Sequence, residues 1–272
     1  MGTILADFDP NAYCPGHITG REIHTKIIAF PQNFVTEAES LGAKTNKTSG
    51  GFETVRVLFN QPGELYQLPN LARGGKAKEV IRRIKETLEP TDDTLAGTLR
   101  EKTVLLKVNG PYSILASLIE PRLFYRWLGK ERRAVHAALE KITTGLGEYI
   151  QGAVNAGAEI ISLADPYANV KILGEKYFLE FAACHLLDLL NFISPAVNSA
   201  EAEKKIKLHI CPHNSVPLLE LGRLKKKETP VEYVSYISAL LDWPHFRKGL
   251  TITGGECIYS RNIKKLSFLL YN

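Results

Sequence analysis

Apolar and polar positions follow two rhythms along this chain. Four short runs are almost continuously apolar and β-branched, and each ends in a turn-forming cluster. Thr103–Val108 leads into Asn109-Gly110-Pro111, and Glu159–Leu163 into Ala164-Asp165-Pro166. Ile206–Ile210 leads into Cys211-Pro212-His213, and Leu250–Thr253 into Gly254-Gly255-Glu256-Cys257. Runs of this kind suit parallel strands covered on both faces. Between them the period lengthens to that of helices. Ser113–Leu128 and Arg132–Gly152 are predicted to follow the first strand, Glu175–Phe192 the second, and Pro230–Leu241 to precede the fourth. In Glu175–Phe192 the residues Phe178, Phe181, Ala182, His185, Leu186 and Leu189 fall on one apolar face. Upstream, Glu22–Leu41 and Lys76–Leu88 are predicted helices and Glu53–Phe59 a further strand.

Strands alternating with helices predict an α/β architecture with parallel pairing. Five or six strands are discernible, whereas a complete barrel has eight over ~250 residues. The expectation is therefore a TIM (β/α)8-type barrel, shortened or incomplete, forming a single domain over residues 1–272. A shortened barrel leaves strand edges to cover, which makes a homodimer plausible.

Composition narrows the class. Hydrophobic residues are 44% and charged residues 23% of the chain, which excludes disorder, a collagen-like repeat and a disulfide-dense scaffold. Apolar runs fall short of the ~18–20 residues that cross a bilayer. The opening MGTILADFDPNAYCPG carries acidic residues where a signal peptide is basic, so a soluble, cytoplasmic protein is expected. The net charge of +5 comes from clusters at Arg82–Lys85, Lys130–Arg133, Lys204–Lys207 and Lys225–Lys227. These are scattered among glutamates and polar residues, as solvated helix faces are, so neither nucleic acid nor membrane is an expected partner.

In parallel α/β folds the chemistry gathers at the carboxyl ends of strands. That singles out Asn109, Asp165, His209, Cys211 and Cys257. His209 and Cys211 are two apart, so both side chains leave a strand on the same face. Cys257 follows another strand. One imidazole and two thiols suit zinc, with a fourth position left for substrate. The other reading is a core histidine and two buried cysteines. His213 and Glu256 flank this set and are expected to be exposed or supporting, and Cys184 to be core packing.

Several of these segments together resemble the uroporphyrinogen decarboxylase superfamily, on its corrinoid methyltransferase branch. Asn109-Gly110-Pro111-Tyr112-Ser113-Ile114-Leu115-Ala116-Ser117 is similar to that family's Gly-Pro-Phe-Thr-x-Ala-Ser segment. Ala156-Gly157-Ala158-Glu159, followed by Asp165-Pro166-Tyr167-Ala168, resembles its Ala-Gly-Ala-Asp strand and Asp-Pro turn. His209-Ile210-Cys211 and Gly254-Gly255-Glu256-Cys257 resemble the zinc motif of methylcobamide:thiol methyltransferases. The likeness spans roughly residues 36–260 and implies a zinc-dependent methyltransferase. Such an enzyme moves a methyl group between a corrinoid, methylcobalamin or a corrinoid carried by a partner protein, and a small acceptor, foremost a thiol. It implies His209, Cys211 and Cys257 as the metal ligands, Asp165 as a catalytic or ligand-orienting carboxylate, and Asn109 and Tyr112 beside the corrin. The decarboxylases' arginine-rich N-terminal motif is not found, which disfavours porphyrinogen decarboxylation. The interval from Cys211 to Cys257 is short by about one strand–helix unit, which leaves open a non-catalytic zinc- or corrinoid-binding protein.

Overall fold

Proline sets where several elements begin. Pro111, Pro121 and Pro212 each occupy the first turn of a helix, where a missing N–H costs nothing and the fixed φ suits the helix. In a computed structural model, residues 26–31, 35–47, 53–55, 57–89, 102–200, 205–244, 246 and 249–270 are described. The strands are β1 (Ile27–Phe30), the short pair β2 (Thr45–Lys47) and β3 (Glu53–Val55), β4 (Thr103–Asn109) and β5 (Ala158–Ala164). They continue with β6 (Lys205–Ile210), β7 (Lys225–Ser235), β8 (Gly249–Gly254) and β9 (Arg261–Leu270). The helices are α1 (Thr36–Ser40), α2 (Gly75–Leu88), α3 (Pro111–Ser117), α4 (Pro121–Lys130) and α5 (Arg132–Asn155). After β5 come α6 (Val170–Tyr177), a π-helical turn over Phe178–Ala183 and α7 (Cys184–Ala200), then α8 (Pro212–Glu220) and α9 (Tyr236–Asp242).

Seven strands form one sheet in the order β1-β4-β5-β6-β8-β9-β7. The first five run parallel and in chain order, as successive strands do around a (β/α)8 barrel. β9 then pairs antiparallel with β8, and β7 with β9. The α/β expectation therefore holds, and the barrel is incomplete: among the described residues the sheet is an arc bounded by β1 and β7. β6 pairs directly with β8, so no parallel strand intervenes between the Cys211 and Cys257 segments. That is the physical form of the short interval seen in the sequence.

Alternate residues of each strand feed two cores. Val104, Leu106 and Val108 of β4, Ile161 and Leu163 of β5, and Leu208 and Ile210 of β6 join the larger cluster, with Leu139, Ile142, Leu146 and Ile150 of α5. Leu105 and Ile160 face the other way, into a smaller cluster with Tyr236, Ile237 and Leu240 of α9 and Ile263 and Leu266 of β9. The inner face of the arc is thus covered by α9 and the antiparallel strands.

Several expected boundaries move. The predicted helix Glu22–Leu41 becomes β1 and the single turn of α1, because Ile27-Ile28-Ala29-Phe30 pairs with β4 before Pro31 ends the run; its first residues, and Cys14, lie outside the described residues. Ser113–Leu128 is split at Pro121 into α3 and α4. Pro230–Leu241 is strand up to Ser235, where burial alternates residue by residue, and helix only from Tyr236. β9 was not foreseen. Lys225, Lys226 and Lys227 lie on the outer edge strand, and Lys207 is buried on β6, so neither cluster is a solvated helix face. One helical course, Val170–Ser194, does reach membrane-spanning length and apolarity, but half of it is buried in the protein, and α7 lies against α5.

Candidate functional site

The strand register lines up one row of side chains on the inner face of the arc. Lys107 stands opposite Ser162, Ser162 opposite His209, and His209 opposite Thr253. His209 is 1% exposed, and its ring meets Tyr236 edge-on at 5.2 Å. Its Nε2 lies 2.9 Å from the Glu256 carbonyl, which can only accept, so Nε2 carries the proton. The Ser162 hydroxyl is 3.4 Å from Nδ1 and is placed to donate to it. Burial pushes the imidazole down to about 4, against a smaller opposing effect of the Glu256 carbonyl. The ring is neutral, as a metal ligand must be.

Cys211 caps α8 just past the end of β6. Its N–H donates to the Leu163 carbonyl at 2.9 Å, and its own carbonyl accepts from Asn214 N and Ser215 N, each at 2.9 Å. Cys257 follows β8 through a two-glycine turn. A Cβ on Gly254 would come within 2.9 Å of the Ile210 carbonyl and 3.0 Å of Ser215 Cβ, so only glycine lets β8 pass so close to β6 and α8. Gly255 takes a left-handed φ of +85° and donates its N–H to Ser215 Oγ at 3.0 Å. The Glu256 carbonyl then reaches His209. The segments bearing the imidazole and the two thiols therefore meet at the ends of adjacent paired strands.

The donor types in these segments fit zinc. In the geometry described, His209 Nε2 is bonded to the Glu256 carbonyl, and among the described residues no three His, Cys, Asp or Glu side chains are grouped to hold a metal ion. Coordination through Nε2 requires that carbonyl bond to open.

Asp165, at the end of β5, is fully buried. Its Oδ1 accepts from Ser113 N at 2.7 Å and its Oδ2 from Tyr112 N at 3.2 Å, the first amides of α3. Burial outweighs these bonds and pushes the carboxyl up to about 6. Asn214 of α8 completes the tie, accepting from Asp165 N and donating to Asp165 O, each at 2.9 Å. Asp165 thus braces β5 to α3 and α8, while the His209 ring finds its partners in Ser162 and Glu256. Tyr112 was expected beside the corrin. It lies instead in the larger apolar core, its ring 5.3 Å from Phe124 and its hydroxyl without a hydrogen-bond partner. Pro111 opens α3 there and turns the residue inward. Cys184 donates to the Glu180 carbonyl at 2.5 Å, and burial pushes its thiol up to about 11.

Asn109, at the end of β4, gives both its backbone N–H and its side-chain Nδ2 to the carboxylate of Glu37, at 3.2 and 3.1 Å. Glu37 is 1% exposed, and burial pushes it up to about 7. Nothing in the local sequence marks this glutamate. The one available signal is a charged residue within Val35-Thr36-Glu37-Ala38, a turn whose neighbours are apolar or small.

Residues 21–229 match the family described as uroporphyrinogen decarboxylase (URO-D). Methylcobamide:CoM methyltransferase MtaA of Methanosarcina barkeri is 28% identical over 133 residues, 49% of this chain and 34% of that protein. MtaA of Methanosarcina barkeri strain Fusaro / DSM 804 is 27% identical over the same lengths. The matched stretch is thus about a third of the length of these relatives. A solved methyltransferase from Methanosarcina mazei superposes with a TM-score of 0.55 at 21% identity, over 71% of this chain and 53% of that one. That likeness shows a shared fold.

Proposed function

The chain belongs to the uroporphyrinogen decarboxylase family, and from that premise we propose that it is a corrinoid-dependent methyltransferase that moves a methyl group between a methylcobamide and a small thiol. The observation that carries this reading is the direct pairing of β6 with β8. That pairing sets the segment bearing His209, a buried neutral imidazole, and Cys211 beside the one that leads into Cys257. The MtaA relatives, named as methylcobamide:CoM methyltransferases, supply the reaction class.

In this reading His209, Cys211 and Cys257 hold a zinc ion, which when bound lets a coordinated substrate thiol lose its proton at neutral pH. The rest falls to the protein's own groups. Burial keeps His209 neutral and able to act as a ligand. Ligation through Nε2 would need the Glu256 carbonyl bond to open and the ring proton to sit on Nδ1, where the Ser162 hydroxyl, 3.4 Å away, would accept it and fix the ring. The Gly254-Gly255 turn lets β8 end close against β6 and α8 just before Cys257. Tyr236, with α9 behind it, covers one side of the imidazole and keeps water from that face. Asn109 stands at the end of β4, two strands from β6, as a polar group for the corrin or its partner protein. Asp165 keeps the β5, α3 and α8 ends in register.

Metal analysis of the purified chain tests the proposal. About one zinc per chain is expected in the wild type, and much less in Cys257→Ser. Zinc-loaded protein mixed with methylcobalamin and a small thiol is expected to convert the cobalamin spectrum to the cobalt(I) form. Equal metal content in wild type and Cys257→Ser, or no conversion with any thiol, would overturn it.

A further inference from the structure

The loop that carries Cys257, from Gly254 to Ser260, is held near both ends by groups from outside it. Close to its start, Gly255 N–H donates to Ser215 Oγ of α8 at 3.0 Å. At its end, Tyr236 N–H donates to the Ser260 carbonyl at 2.9 Å, and Ser260 N–H donates to the Cys257 carbonyl at 2.9 Å. The bond from Tyr236 adds one rung beyond Ser235 and Arg261, the last paired residues of β7 and β9. The bond from Ser260 closes a tight turn that begins at Cys257. The backbone of Tyr236 is thus two hydrogen bonds away from the residue that bears the thiol.

The side chain of Tyr236 reaches the same place. Its ring meets that of His209 edge-on, with centroids 5.2 Å apart, and its hydroxyl donates to the Gly254 carbonyl at 3.5 Å. His209 is bonded in turn to the Glu256 carbonyl at 2.9 Å. Ile258, next to Cys257, is buried in the same apolar cluster as Tyr236. Tyr236 is itself fully buried and opens α9 directly after Ser235, whose hydroxyl accepts from Ser238 N–H at 3.1 Å and fixes the first turn. A close-packed aromatic side chain on a capped turn has little room to shift. The support for this loop therefore comes from the antiparallel β7–α9–β9 part of the chain rather than from a parallel strand.

We infer that Tyr236 is a positioning residue for the strand-end site: its ring and its backbone N–H hold the Gly254–Ser260 loop against His209 and so fix where Cys257 stands. The inference rests on the zinc reading of the site for its chemical meaning, and on the hydrogen bonds and the ring contact for its geometry. The ring carries the side-chain part of the role, since a hydroxyl bond of 3.5 Å is at the weak limit. Tyr236 acts through the loop and lies outside the proposed ligand set.

Two measurements on the full chain test it, with Tyr236→Phe, which keeps the ring, and Tyr236→Leu, which loses it. The first is zinc affinity, measured by competition with a chelator. It is expected to fall about 10–100-fold in Tyr236→Leu and to stay within about threefold of wild type in Tyr236→Phe. With cobalt(II) in place of zinc, the thiolate-to-metal charge-transfer band should drop to about half in Tyr236→Leu alone, as one of the two thiolates leaves the metal. The second is amide hydrogen exchange without added metal. Ser260 N–H is expected to exchange at least about tenfold faster in Tyr236→Leu, beyond any change shared with the amides of β4 and β5, and as in wild type in Tyr236→Phe. The shared change reads lost stability, and the excess reads the loop. Equal affinity and equal Ser260 protection in all three proteins, or a phenylalanine variant as impaired as the leucine one, would overturn the role. If the wild type binds no zinc, the proposed function fails, and exchange at Ser260 alone still decides for or against Tyr236 as the support of the loop.

Discussion

The side chain of Asn214 bonds both backbone polar groups of Asp165: its Oδ1 accepts from the N–H and its Nδ2 donates to the carbonyl, each at 2.9 Å. One amide from the first turn of α8 thus imitates a neighbouring strand at the point where β5 ends. Asn214 is 1% exposed, so neither backbone group has water as a substitute. Asn214→Ala is expected to destabilise the fold by about 1–3 kcal/mol, the cost of one unsatisfied buried group, because the Asp165 N–H loses its acceptor while the carbonyl keeps the Ala168 N–H at 3.0 Å. Urea unfolding measures it. A loss within ~0.5 kcal/mol would show that the tie contributes nothing.

Asp165 offers a sharper contrast between structure and chemistry. Its two oxygens cap the first amides of α3. Asp165→Asn keeps one acceptor, so a loss of about 1 kcal/mol is expected, and Asp165→Ala should lose about 2–3 kcal/mol. If bracing is the whole of its role, residual methyl transfer per folded molecule will stay within about tenfold of wild type in Asp165→Asn. A fall of a hundredfold or more in kcat at unchanged stability would make Asp165 a catalytic group.

Gly110 is held to glycine by the same carboxylate. A Cβ there would lie 2.3 Å from Asp165 Oδ2 and 2.4 Å from Asp165 Cβ. Asp165 is tied on three sides and cannot yield cheaply. Gly110→Ala is therefore expected to cost more than about 2 kcal/mol, read as a lowered denaturant midpoint. In Gly110→Ala combined with Asp165→Gly the two losses should be less than additive, because the second change removes the clash. Strict additivity would remove the steric explanation.

Which parts of this architecture were legible follows from the range of the interactions. β4, β5, β6 and β8 are buried on both faces, so their apolar runs stand out in one dimension, and the turn after each run marks its carboxyl end. The His209, Cys211 and Cys257 segments were legible for that reason. β7 was not: Val231, Tyr233 and Ser235 alternate with exposed residues only because β9 lies beside them. Pro230 at its middle suggested a helix start. Glu37 was invisible because the contact that defines it is with Asn109, 72 residues on. Tyr112 was misjudged because a strand-end motif says which residues lie near a mouth, while the side-chain direction is set by the helix that follows.

Stability against pH should carry the signatures of four buried groups with two opposite signs. Burial holds His209 and His185 at about 4, and the neighbouring His136 lowers His185 further. In the unfolded chain both take a proton near pH 6.5. Between about 6.5 and 4 the unfolded state therefore binds more protons, and stability falls as pH drops through that window, by up to ~1.4 kcal/mol per pH unit for each histidine. Glu37, at about 7, and Asp165, at about 6, act in reverse. Their folded forms hold protons that the unfolded chain has already lost above its ordinary carboxyl range, so they cost stability as pH rises toward neutrality. The two effects offset each other in the wild type and separate in variants. Glu37→Gln is expected to make stability climb more steeply between about pH 4.5 and 7, and His209→Gln to flatten it. Denaturant midpoints at half-unit pH intervals would show this. A flatter curve in Glu37→Gln would mean that the carboxyl is ionised in the folded state throughout, and that Lys107 and Asn109 together outweigh its burial.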